Sequence, residues 1–87
     1  MSRQMTDARL KRLNMRSWRR GTKEMDLILG RFADAELAKL NARQLDDYEA
    51  LLGENDQELF LWFSGRVAPR AEYSAIVAHI LTRGPTA

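Results

Sequence analysis

Glycines and capping residues cut this chain into about five short segments, and each spaces its apolar residues for a helix rather than a strand. The last segment is the clearest. Tyr73, Ile76, Val77, Ile80 and Leu81 stand at i, i+3, i+4, i+7 and i+8, the stripe that a helix turns toward a core. Pro69 opens that helix at or near its first turn, where a missing N–H costs little, and Gly84-Pro85 closes it. At the other end, Thr6 or Asp7 caps a first helix that turns Leu10, Leu13, Met15 and Trp18 inward. Gly21 interrupts it. Thr22 then caps a second helix from about Lys23 to Leu40, with Met25, Ile28, Leu29, Phe32, Leu37 and Leu40 on its inner face. Gly30 within that stretch marks a kink or a close helix contact. Asn41 and Gln44 form a capping-box pair before a third helix carrying Leu45, Tyr48, Leu51 and Leu52, which Gly53 stops. Asn55 and Glu58 repeat the pattern for a fourth helix with Leu59, Phe60, Trp62 and Phe63, ended by Gly65. No run alternates polar and apolar residues. The expectation is an all-α, compact five-helix bundle, a single domain over residues 1–87 with its ordered core at about 6–83.

A chain of 87 residues buries only roughly 60–65% of its unfolded surface, so the core is thin. With no cysteine, disulfides, thiolate metal sites and thiol catalysis are excluded. No apolar run approaches the ~20 residues needed to cross a bilayer. No apolar segment follows the basic N-terminus as in a secretory signal, so the expected location is cytoplasmic, without membrane insertion. The one histidine, His79, lies among apolar residues of the last segment and reads as a partly exposed packing residue. No serine sits on a strand-to-helix elbow, and there is no Gly-rich phosphate loop. A metal site would have to be built mostly of carboxylates, at a spacing the sequence does not offer. Asp46, Asp47 and Glu49 read as solvated charges near a helix start. The expectation is therefore not an enzyme, with no catalytic residue, no metal and no stably bound cofactor.

The net charge of +2 conceals a strong polarity. Residues 1–23 hold eight lysines and arginines against Asp7 alone, a balance of +7, while residues 24–87 hold six basic and eleven acidic residues, a balance of −5. Such a chain reads as a basic docking element on an acidic bundle, its partner a nucleic acid, an acidic protein surface or a phosphate-bearing ligand, or else simply as a solvated helix face. Leu59 to Phe63 is more apolar than one face of a short helix can bury; it forms either the centre of the core or an exposed partner site. Trp18, beside Arg19 and Arg20, either packs or offers a ring for stacking on a base or flavin, or for docking.

The most informative stretch is Arg19-Arg20-Gly21-Thr22-Lys23-Glu24. It sets two guanidinium groups at a helix end, then a residue without Cβ, then a carboxylate in the next first turn. Arginine forks suit carboxylates and phosphates, glycine permits close approach by another backbone, and Glu24 favours a positive helix start. Arg20-Gly21-Thr22-Lys23-Glu24 matches the RGxxE motif of the SdhE-type family, small assembly factors that promote flavinylation of succinate dehydrogenase. Leu27 to Ala33 resembles that family's LLLxxFA-like stretch, and Leu45 to Leu52, with Tyr48 between, resembles its third helix. Glu58-Leu59-Phe60-Leu61-Trp62 resembles its D-[LI]-[FY]-x-W segment, with Glu58 in place of the usual aspartate. The likeness extends over about residues 9–83.

The resemblance implies a five-helix assembly factor that binds the flavoprotein subunit of succinate dehydrogenase, and in bacteria also that of fumarate reductase. It promotes covalent attachment of FAD to a histidine of that client, binding no cofactor stably itself. Arg20, Gly21 and Glu24 take the family's motif positions as partner-binding residues, and Arg19 and Asp26 match its bacterial pattern more loosely. The free protein is expected to be a monomer without a nucleic-acid partner. Two other readings stand beside this one: a small basic nucleic-acid-binding helix domain and a generic helical interaction module.

Overall fold

Residues 2–83 are described by the computed structural model, with side chains from Asp7 onward. The expected stop at Gly84-Pro85 and the Thr6 cap lie outside the described residues and side chains, respectively. Five α-helices follow in order: α1 (Ser2–Ser17), α2 (Lys23–Glu36), α3 (Ala42–Leu52), α4 (Asp56–Phe63) and α5 (Ala71–Arg83), with a 3-10 turn at Leu37–Lys39. The all-α expectation holds, and its periodic stripes become the core. Leu13 of α1 meets Met25, Leu29, Phe32 and Ala33 of α2. Beneath them lie Tyr48 and Leu51 of α3, Leu59 and Trp62 of α4, and Ile76, Val77 and Ile80 of α5. Burial of this apolar surface is what makes such short helices persist, since isolated helices below ~12–15 residues are marginal in water.

Tyr48 stands at the centre with no exposed surface, its ring 5.5 Å from that of Phe32. Its hydroxyl shares a hydrogen bond with Ser17 Oγ (2.6 Å), and each hydroxyl also has a backbone carbonyl within reach, that of Leu13 for Ser17 (2.8 Å) and that of Leu29 for Tyr48 (3.3 Å). Two buried polar groups thereby satisfy each other and tie α1 to α3. Burial pushes the Tyr48 phenol up to about 12.

Several boundaries differ from the sequence reading, each for a local reason. Helix α1 is already running at Asp7, so Asp7 does not cap it, and it ends at Ser17 rather than at Gly21. Helix α2 stops at Glu36, because the 3-10 turn swings Leu37 into the core and Leu40 adopts extended backbone leading into the Asn41 cap. That cap is the expected capping box: Asn41 accepts from the Gln44 amide and Gln44 accepts from the Asn41 amide. At α4 only half the pattern forms, with Asn55 accepting from the Glu58 amide. Gly65 ends α4 at φ +80°, its own amide and that of Arg66 bonding back to Trp62 and Leu61. Gly53 instead keeps ordinary helical backbone. Pro69 falls two residues before α5, outside its first turn.

Gly30 makes the close contact and not the kink. The Trp18 ring lies directly against it, and a Cβ there would come within 2.6 Å of three ring carbons. Four residues read as core are exposed: Met15, Phe60 and Leu81 on their helices, and Trp18, which keeps only part of its ring packed against Gly30.

Candidate functional site

The Arg19–Glu24 stretch forms the corner between α1 and α2. After Ser17 the chain turns through Trp18 to Thr22, and Gly21 takes φ +102°, a region that side-chain-bearing residues enter only with strain. Thr22 caps α2 by accepting from the Met25 amide (3.4 Å). Asp26, one turn into α2, reaches back to accept from the Arg20 amide (2.6 Å) and fixes the corner from beneath.

Arg20 does not point to solvent. Its Nε donates to Asp56 (2.9 Å), one terminal nitrogen to the Leu52 carbonyl (2.6 Å) and the other to the Glu54 carbonyl (2.6 Å). The paired side chains are only 11% and 13% exposed. One guanidinium thus caps the C-terminal end of α3, where the helix dipole is negative, and pairs with an acid in the first turn of α4. All three nitrogens face acceptors within the protein. The motif arginine clamps the corner to the α3–α4 connection, and Asp26 secures the backbone on its other side.

The remaining motif residues form the outer surface. Arg19, Gly21, Thr22, Lys23 and Glu24 are all exposed. On one side of this apex an open groove of about 440 Å³ runs between the start of α2 and α4, lined by Thr22, Glu24, Asp56, Gln57, Phe60 and Leu61. A smaller groove of about 260 Å³ follows the end of α1 past Arg12, Met15, Arg16, Arg19 and the edge of Arg20. Residues that follow Gly21 in the chain therefore line an apolar groove with acids at its rim, together with α4, and residues that precede it line a cationic one.

Folding also divides the basic N-terminal segment. Arg9 is held by Asp46 (2.8 Å) and Glu49 (2.7 Å) on α3, which raise its pKa further. Arg20 is held by Asp56. Lys11, Arg12, Arg16, Arg19 and Lys23 have no ion-pair partner among the described residues, so a cationic face remains around the corner. Trp18 is partly exposed, but one face covers Gly30 and its Nε1 donates to Asp34 (3.3 Å), which also holds Asn14 (2.9 Å). His79 packs edge-on against Phe32 with ring centroids 6.0 Å apart.

A second polar cluster lies where α5 begins. Tyr73 donates to Glu54 (2.7 Å), Arg70 pairs with the same carboxylate, and the Arg70 guanidinium sits 5.5 Å from the Trp62 and Tyr73 ring centres. The Tyr73 and Arg70 bonds hold Glu54 below its ordinary pKa. Because the Glu54 carbonyl also takes Arg20, this cluster braces the clamp from behind. Among the described residues no group of three His, Asp or Glu side chains could hold a metal, and no helix is long and apolar enough to cross a membrane.

Sequence reasoning located the corner but missed Asp56, whose partner lies 36 positions away and leaves no local signal. It weighed the Leu59–Phe63 run as core or surface, and the run divides: Leu59, Trp62 and Phe63 are buried, while Phe60 faces the groove.

A braced helical bundle presenting a charged, glycine-tipped corner between two open grooves has the form of a binding protein. The chain belongs to the family described as flavinator of succinate dehydrogenase, whose pattern it matches over residues 11–83. A Legionella pneumophila (strain Lens) protein named FAD assembly factor SdhE is 39% identical over 62 residues, covering 71% of this chain and 78% of that one. Succinate dehydrogenase assembly factor 2, mitochondrial, of Schizosaccharomyces pombe is 38% identical over 78 residues, or 88% of this chain and 56% of that one. Its namesake in Aspergillus terreus is 47% identical over 51 residues, which are 59% of this chain and 17% of that protein. The chain thus spans less than a fifth of the length of the Aspergillus relatives it matches. No solved structure matches it.

Proposed function

We propose that this protein is a non-catalytic assembly factor that docks through the α1–α2 corner onto the flavoprotein subunit of succinate dehydrogenase and promotes covalent attachment of FAD to a client histidine. The observation that carries this reading is the family match over residues 11–83, which includes the whole corner and the residues lining both grooves. In this proposal Gly21, Glu24 and Arg19 meet the client, while Arg20 and Asp26 hold the corner in shape. FAD remains the client's, and the chemistry is that of the flavin and the client histidine. What the helper supplies is position. Holding two reacting groups in a near-attack arrangement can lower a barrier by several kcal/mol without a bond-making group of its own. A monomeric, cytoplasmic protein that uses no nucleic acid belongs to the same proposal.

The test is to co-express the flavoprotein subunit with and without this chain, denature it and read covalent flavin fluorescence in the gel. Fluorescence that depends on the chain supports the reading, and equal bands overturn it. A parallel pair of lanes with the fumarate reductase subunit sets the client range.

A further inference from the structure

The corner reading leaves one exposed feature without a role, the groove between α2 and α4. Phe60 is 37% exposed on the outer side of α4, and with Leu61 it supplies the groove's apolar surface. Thr22 and Glu24, both within the RGxxE stretch, form the opposite wall. Of the two acids at the rim, Asp56 is neutralised by Arg20, whereas Glu24 has no cation partner among the described residues. At about 440 Å³ the groove has the volume of a small ligand site, yet it is open along its length. It cannot enclose most of a small molecule as such sites do. An open apolar trough with one unpaired carboxylate at its edge suits a side chain presented by another protein.

We propose that this groove is the anchor site of the docking surface, and that it receives a large apolar side chain of the client subunit with a lysine or arginine beside it. The apolar group rests on Phe60 and Leu61, and the neighbouring cation pairs with Glu24. The proposal rests on the reading of the chain as a client-docking factor and assigns that surface a second half. Continuity supports it, because Thr22 and Glu24 belong both to the corner and to the groove. Charge supports it too: Glu24 is the unpaired carboxylate on this groove's wall, whereas the other groove is lined by Arg12, Arg16 and Arg19, which repel a basic segment.

The experiment titrates the purified client subunit in its FAD-free form against the full chain and its variants. Phe60→Ala is expected to weaken binding about tenfold to thirtyfold, as truncation of an interface anchor does. Gln57→Arg, which sets a cation in the groove, weakens it several-fold. Leu81→Ala, an exposed apolar residue on α5, leaves binding unchanged. Both groove positions are exposed, and circular dichroism melts check that each variant is folded. If the wild-type chain binds and Glu24→Ala weakens it while Phe60→Ala and Gln57→Arg do not, the groove assignment is overturned and the corner reading stands. If the wild-type chain binds no client subunit, both fall. Sedimentation of the chain alone supplies the remaining outcome: a dimer that Phe60→Ala converts to monomer would show that a second copy fills the groove, which also overturns the proposal.

Discussion

Replacing Arg20 with alanine separates a clamp from a contact residue. In the clamp, the substitution leaves Asp56 almost buried without its cation and strips the Leu52 and Glu54 carbonyls of their charged donor. Breaking a fully buried ion pair costs roughly 3–5 kcal/mol, and each orphaned carbonyl adds ~1–3 kcal/mol where water cannot reach it. The site keeps about a tenth of its surface in solvent. Water recovers part of the loss, so about 3 kcal/mol is expected. A domain of this size is stable by only about 4–13 kcal/mol, and each kcal/mol moves its melting temperature by roughly 4–8 °C. Arg20→Ala should therefore melt roughly 12–24 °C below wild type. Arg20→Lys keeps the charge but offers a single ammonium where three acceptors sit around a planar fork, and should lose about half as much. Thermal and urea unfolding of Arg20→Ala, Asp56→Asn and the double variant give the coupling, expected at about 1–2 kcal/mol. An Arg20→Ala protein melting within about 2 °C of wild type, with no coupling to Asp56, would refute the clamp and return Arg20 to the partner surface.

Gly21→Ala should cost about 1–3 kcal/mol through backbone strain alone, because space is available near Asp56 but φ +102° is not an easy alanine conformation. Gly21→Arg adds obstruction to that strain and should abolish client binding, so urea unfolding of Gly21→Ala is what separates the two effects. Gly30→Ala must push the Trp18 ring away, costing about 1–3 kcal/mol and shifting Trp18 emission to the red in a Trp62→Phe background. Tyr48 makes folding sensitive to alkali. The native phenol keeps its proton up to about 12 while the unfolded one loses it near 10, so this contribution is complete below pH 10 and is lost as pH rises through the interval. The loss amounts to about 2–3 kcal/mol, and Tyr48→Phe should flatten that window when unfolding is followed against pH.

Much of the fold was legible because the forces that set it are local. The stripe from Tyr73 to Ile80 and the Asn41–Gln44 box need only their own segments to be satisfied. What the sequence misplaced depends on contacts between segments. Leu81 lies on the edge of its stripe and is left outside because no partner covers it. Gly30 could mean a kink or a contact until Trp18 was placed beside it. The site divides in the same way. The α1–α2 corner is visible as a glycine between charges, and Gly21, Glu24 and Arg19 do form its exposed surface. The inward turn of Arg20 depends on acceptors 32 to 36 residues away. Composition cannot tell a guanidinium offered to a partner from one engaged by the protein's own carbonyls.

Whether the corner promotes flavin attachment by docking, and not by chemistry of its own, is decided by a time course of covalent flavin formation. FAD-free client subunit and FAD are mixed with no helper, with the wild-type chain, or with Glu24→Ala. The wild-type chain should accelerate attachment. Glu24→Ala should melt like wild type, raise the helper concentration needed for half-maximal effect, and reach the same rate at saturation. A Glu24→Ala protein that binds the client as tightly as wild type yet fails to accelerate attachment at saturation would contradict a docking role, and would place the carboxylate in the reaction itself.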